Sequence, residues 1–238
     1  MIREKIAPEF YIEDHALIYG LLGKHAEQLC GEAGLDAFAK GTILYSRGIR
    51  MAKRCLADGR ELNMKTYLLY GEWADTRKKT SIQVCGIVPD FLNTVPQCAW
   101  NDSWIKYGLE KYGAIYCTYC DKNLVRGFSP AETVEISSVL THGAPSCEFN
   151  WIGANFQTEQ EFYDLMKLKS EISHYTMKDF LYHSGHALSA LRRTFYVELS
   201  VPETERICSA ALREFAGIMG EAKCAALEEE SHLDFLEI

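Results

Sequence analysis

Apolar side chains recur every three or four residues near the start of the chain. His15, Ile18, Leu22, Ala26 and Leu29 share one face and predict a helix over residues 13–33, with Gly34 placed to cap it. Phe38, Ile43, Ile49 and Ala52 predict a second helix over residues 35–56, stopped by Asp58-Gly59. The two are expected to pair as an antiparallel hairpin. Gly41 and Gly48 weaken the second helix relative to alanine, which close approach of another backbone or a ligand would offset.

Residues 63–73 (NMKTYLLYGEW) and 81–88 (SIQVCGIV) read as two strands of a hairpin across DTRKKT, with Pro89 ending the second and a loop over 92–97. Helical spacing returns from residue 98 to about 117, where Trp100, Trp104, Tyr107, Leu109 or Tyr112, and Ile115 form a largely aromatic stripe, with Asn101 or Asp102 as the cap candidate. Residues 134–140 and 147–152 read as two more antiparallel strands joined across THGAPS. TEQE at 158–161 matches a capping box, and helices are predicted over 159–166, 179–197 and 203–230.

This order predicts an α+β fold: an antiparallel sheet of about four strands covered by helices, with an N-terminal helical hairpin and C-terminal helices. No repeat or linker divides the chain, so residues 1–238 are read as one domain. The strand–helix alternation of a dinucleotide-binding fold is missing, as are GxGxxG and GxxxxGK[ST], so nucleotide-driven chemistry is not indicated.

Composition narrows the partners. A chain of 238 residues buries a full core without staples, and its net charge of −8 argues against general binding to nucleic acid or an anionic membrane. No apolar run approaches membrane-spanning length, and the opening MIREKIAPEF carries charges where a signal peptide needs an apolar run. A cytoplasmic location follows as an expectation, and in that reducing setting the nine cysteines are thiols. Their odd number also speaks against a complete internal disulfide set.

Candidate chemistry concentrates in residues 116–151. Cys117 and Cys120 form a CxxC at the end of the predicted helix, where the dipole raises a thiol pKa, and no second pair completes a zinc ribbon. Cys120 is followed by Asp121, and His142 and Cys147 lie in the next strand pair. A thiol, a carboxylate and an imidazole suit nucleophilic attack and proton transfer. The same residue types suit zinc, or serve as buried structural thiols beside a turn histidine. His183 and His186 stand three apart on a predicted helix and face one way, as pocket imidazoles, as ligands of one metal, or as partly exposed polar residues. Arg47 and Arg50 also share a face and suit a carboxylate, unless they are simply a solvated basic surface. Trp104 is the stripe residue read as a substrate contact, although such a stripe is more often core.

The run YCTYCDKNLVRGFSP…VLTHGAPSCEFNW resembles the L-2-amino-thiazoline-4-carboxylic acid hydrolase family, whose Leu-x-x-Gly-x-x-x-Cys-(Asp/Glu)-Phe element stands here as Leu140, Gly143, Cys147, Glu148 and Phe149. GTILYSRGIRMA resembles the family's N-terminal region, so the family-like core spans 13–155 and a helical extension spans 156–238. The pattern is more distantly similar to 4-vinyl reductase-type small-molecule-binding domains, but Ile or Val stands where the metal-binding Glu and Cys of some of those domains would fall.

The resemblance implies hydrolytic opening of a small nitrogen- or sulfur-containing ring. Such a reaction needs an activated water or thiolate, a proton donor for the leaving atom and a cation for a substrate carboxylate. On that basis Cys120 is nucleophile or polarising thiol, Asp121 and His142 transfer protons, Cys147 shapes the floor and Arg47 clamps the carboxylate. No cofactor is expected, and the partners expected are a small-molecule substrate and a second copy of the chain. The alternatives are a non-enzymatic sensor domain and a metalloenzyme built on His183 and His186.

Overall fold

Gly31 turns the first helical segment back on itself. In the computed structural model, which describes residues 8–236, α1 (Ile12–Tyr45) contains one non-helical residue, Gly31 at φ 59°. That left-handed value is open to glycine without the Cβ clash other residues meet. The limbs on either side lie antiparallel. The rings of Tyr19 and Phe38 are 4.7 Å apart, and the Tyr19 hydroxyl is 2.6 Å from Thr42 Oγ1. The expected hairpin is therefore present, with its turn at Gly31. Gly34 lies inside the second limb, where a Cβ would collide with the Ala26 carbonyl oxygen; it permits close packing and does not cap.

The second predicted helix is interrupted at Arg47-Gly48, and α2 (Ile49–Ala57) follows. Gly48 abuts the Leu124 carbonyl and the Phe128 amide nitrogen, the close backbone approach expected of it.

Residues 63–73 are not a strand. Asn63 accepts the Thr66 N–H through its side chain and starts a short helix, α3 (Met64–Leu69). The cap and the inward spacing of Met64 and Tyr67 outweigh the β-propensity of the run. β1 (Ser81–Gly86) instead pairs with β2 (Phe91–Gln97), the segment expected to be a loop. β2 alternates buried Phe91, Asn93 and Val95 with more exposed neighbours, and Pro96 falls where the β1–β2 register is irregular, so it breaks no regular ladder. With β3 (Thr133–Ser138) and β4 (Cys147–Ile152), these strands make an antiparallel sheet in the order β1-β2-β4-β3.

The aromatic helix also differs from expectation. Gly108, at φ 66°, ends α4 (Ala99–Tyr107), and α5 (Glu110–Phe128) carries the CxxC in its middle, not at its end. The dipole argument applied to those thiols therefore lapses. Thr158 caps α6 (Glu159–Thr176), which runs well past residue 166. α7 (Phe180–Glu198) follows, and Gly220 divides the last predicted helix into α8 (Val201–Met219) and α9 (Glu221–Glu230).

Two apolar clusters organise these elements. One gathers Leu17, Phe38, Trp104, Leu191 and Phe215 around α1. The other packs Met64, Tyr70, Phe91, Val134 and Phe162 between the inner face of the sheet and α2, α3 and α6. α5 contributes to both, through Tyr112 to the first and Val125 and Phe128 to the second. Among the described residues no helix is long and apolar enough to cross a membrane. The charged opening sequence falls largely on residues 1–7, outside the described residues.

Candidate active site

A cavity of about 740 Å³ lies where the two clusters meet. Its floor is the inner face of the sheet, where Asn93, Val95, Cys147, Phe149 and Trp151 occupy alternating positions on paired strands. α5 forms one wall with Tyr116, Cys117, Cys120, Asp121 and Leu124, which share a helix face by their spacing. α7 brings Phe180, His183 and His186.

Asp121 is the conspicuous group in this wall. Among the described residues its carboxyl has no hydrogen-bond or ion-pair partner, and burial pushes its pKa up to about 6. A carboxyl in that range exchanges a proton near neutral pH, which suits a general base. Cys98, Cys117, Cys120 and Cys147 share the cavity, and burial raises every one of these thiols. They are therefore protonated at neutral pH. Cys147 differs in that its Sγ accepts the Leu140 N–H at 3.3 Å.

A directed hydrogen-bond chain reaches the opposite side. Trp100 Nε1 donates to His15 Nδ1 at 3.0 Å. An indole N–H can only donate, so His15 carries its proton on Nε2, which lies 3.0 Å from the Tyr45 hydroxyl and donates to it. Burial lowers the His15 pKa to about 3 and keeps the ring neutral. The Tyr45 hydroxyl, itself held protonated by burial, is left with its own hydrogen to donate into the cavity it lines.

Below Tyr45 sits a buried charge cluster. Glu72 accepts from Arg50 at 2.7 Å and from Arg54 at 3.1 Å. Burial opposes ionisation of Glu72, but Arg50 and then its other neighbours outweigh it and hold the carboxyl below the usual range. Arg50 Nη1 also donates to His186 Nδ1 at 2.9 Å, and His183 Nε2 is 3.3 Å from the Glu72 carbonyl. Burial, aided by Arg50, pushes His186 well below its ordinary value; burial likewise lowers His183. Both imidazoles are neutral; His186 braces Arg50, and His183 contacts the Glu72 backbone.

Six of the eight sequence-predicted residues meet in this cavity: Trp104, Cys120, Asp121, Cys147, His183 and His186. Trp104 is fully buried, with its indole N–H donated to the Ala16 carbonyl. The other two lie elsewhere. His142 is exposed on the 3₁₀ turn Leu140–His142, 3.4 Å from Thr118 Oγ1. Arg47 lines a second cleft beside Arg192 and Arg193 and does not reach the first; Arg50 and His186 line both. Among the described residues no group of three or more His, Cys, Asp or Glu side chains is arranged to hold a metal ion.

Sequence reasoning missed Glu72, hidden in the misassigned strand, and Lys169. The signal for Lys169 was its place in the stripe of Leu165, Leu168 and Ile172, partly buried residues packed on the sheet-side cluster.

Residues 13–151, from α1 to the penultimate residue of β4, match the family model described as L-2-amino-thiazoline-4-carboxylic acid hydrolase. The chain belongs to that family. Its matched segment supplies the sheet floor, the α5 wall and the Trp100–His15–Tyr45 chain. The α6 and α7 walls of this family member lie beyond the match. No curated protein and no solved structure matches the chain.

Proposed function

We propose that this protein hydrolytically opens a small ring of the 2-aminothiazoline carboxylate type, with Asp121 as general base. The observation that carries this reading is a carboxyl poised near pH 6 that, among the described residues, has no partner, in a cavity it shares with aromatic rings, protonated thiols and the Glu72–Arg50 pair.

The chemistry follows from those groups. The ring carbon bonded to sulfur and two nitrogens is electrophilic, and more so when the ring is protonated. Asp121 takes a proton from water as the water oxygen bonds to that carbon. The adduct then collapses with cleavage of the ring C–S or C–N bond, and the electron pair leaves on the departing atom. That atom takes the proton from Asp121, so one water is consumed and the carboxylate is regenerated. The Tyr45 hydroxyl donates a hydrogen bond to the adduct, while the proton transfer expected of Asp121 and His142 together falls to Asp121 alone. Cys120 and Cys147 contribute as polarising thiols rather than thiolates, since burial keeps both protonated.

The direct assay incubates the purified protein with L-2-amino-thiazoline-4-carboxylic acid and follows its loss by mass spectrometry. The expected product is the substrate plus one water. No such product over a long incubation, with the ligand demonstrably bound, would count for the sensor reading instead.

A further inference from the structure

The cavity contains a second isolated charge that the mechanism above does not use. Three cationic side chains line it: Arg50, Lys78 and Lys169. Arg50 is engaged by Glu72 and His186. Lys78 lies in the exposed segment before β1. Lys169, from α6, is different: its Nζ donates at 2.8 Å to the Leu68 carbonyl, and among the described residues no carboxylate pairs with it. An ammonium has three N–H donors, and the Leu68 carbonyl takes only one of them. A desolvated cation left in that state is costly unless an anion completes it.

We propose, resting on the hydrolase reading above, that Lys169 is the carboxylate-binding residue of this cavity. The α6 wall, outside the family-matched segment, then restricts ligands to small monocarboxylates that also carry a basic nitrogen for Asp121.

Two local features support it. Gly71 clears the space around the amine: a Cβ at that position would lie 2.9 Å from Lys169 Nζ. Burial lowers the Lys169 pKa only to about 8, so the amine is still mostly charged at neutral pH. Lys169 and Asp121 are thus one positive and one negative group, each unpaired, on different walls of one cavity. A zwitterionic ligand satisfies both, whereas a neutral ring or a dianion leaves one charge unmatched or adds another. Arg47, the cation first expected to bind the carboxylate, faces the other cleft.

The test is binding and turnover of two probes by the wild type, Lys169→Met and Lys169→Arg. The probes are L-2-amino-thiazoline-4-carboxylic acid and 2-aminothiazoline, which lacks the carboxylate. The wild type is expected to bind the acid more tightly than the descarboxy probe. Lys169→Met should raise the Kd and KM for the acid roughly 10- to 100-fold, the scale of a charge-assisted hydrogen bond. It should leave the descarboxy probe and kcat within about threefold, and Lys169→Arg should recover part of the loss.

An unchanged Kd for the acid in Lys169→Met overturns the subsite, as does equal loss of both probes or failure of the wild type to bind the acid. Turnover is scored separately. Lys169-dependent binding without hydrolysis would keep the subsite and remove the hydrolase reading, and hydrolysis indifferent to Lys169 would do the reverse. Circular dichroism melts of both variants establish that each is folded.

Discussion

The indole N–H of Trp100 donates to His15 Nδ1 at 3.0 Å, and that contact sets the direction of the hydrogen bonds that follow it. Because the indole cannot accept, His15 must donate from Nε2 to Tyr45, and Tyr45 must donate onward. Tyr45→Phe is therefore expected to lower kcat about 10- to 100-fold with little change in KM, the range for one lost donor at a developing charge. Trp100→Phe frees the tautomer without touching the cavity donor and should produce a smaller fall in kcat. Steady-state kinetics on both variants separates a donor from a merely structural tyrosine.

The pH dependence of turnover reports on Asp121. Burial raises its pKa from the ordinary carboxylate value to about 6, and a base acts only when ionised. The titratable groups that interact with it are Cys98, Cys117, Cys120, Cys147, Tyr67 and Tyr116, all held protonated by burial. The acid limb of kcat/KM is thus expected near pH 6, measured from about pH 4.5 to 8. A limb near 4, where an exposed aspartate titrates, would show that the buried carboxyl is not the base.

The same residue destabilises the fold when ionised. Its folded pKa lies above the unfolded value, so stability is fully present below about pH 4 and is lost as pH rises through about 6. Asp121→Asn removes that penalty and is expected to be more stable than the wild type at pH 7, on the order of 1–3 kcal/mol. Urea unfolding at pH 7 measures it.

His15, His183 and His186 act in the opposite direction. All three are depressed by burial, His15 to about 3. Below the ordinary histidine value the unfolded chain takes up protons that the folded chain refuses, so stability falls with pH from about 6.5 downwards. His15→Gln should flatten part of this slope. Denaturant midpoints at pH 7 and 5 give the comparison.

Among the described residues Glu72 is the carboxylate that pairs with two buried guanidiniums, at 2.7 and 3.1 Å. Glu72→Gln leaves Arg50 and Arg54 without a counter-charge and is expected to destabilise by about 3–5 kcal/mol. The same denaturation experiment reads it.

The α5 wall was legible only in part: the predicted helix stops near residue 117, although Tyr116, Cys117, Cys120, Asp121 and Leu124 fall on one face of the helix that runs on to Phe128. β4 was legible, since Cys147, Phe149 and Trp151 alternate inward. β2 was not, because Asn93 and Pro96 disguise a strand whose Asn93 is buried only to accept the Trp151 indole N–H. The break at Arg47-Gly48 was hidden as well: Gly48 signals a close backbone approach, but a continuous apolar stripe does not show that the helix stops there. Lys169 has a periodic signal in the stripe of Leu165, Leu168 and Ile172, but that it and Glu72 line one cavity depends on tertiary contacts that periodicity within one element does not carry. Their polar character drew no attention until burial showed what surrounds them.

The role of Asp121 as general base is tested most directly by kcat and Kd of Asp121→Asn with L-2-amino-thiazoline-4-carboxylic acid. Loss of the general base with the cavity intact is expected to lower kcat at least about 100-fold, and Kd rises as well because the ligand's basic nitrogen loses its carboxylate partner. Wild-type turnover by Asp121→Asn would contradict it.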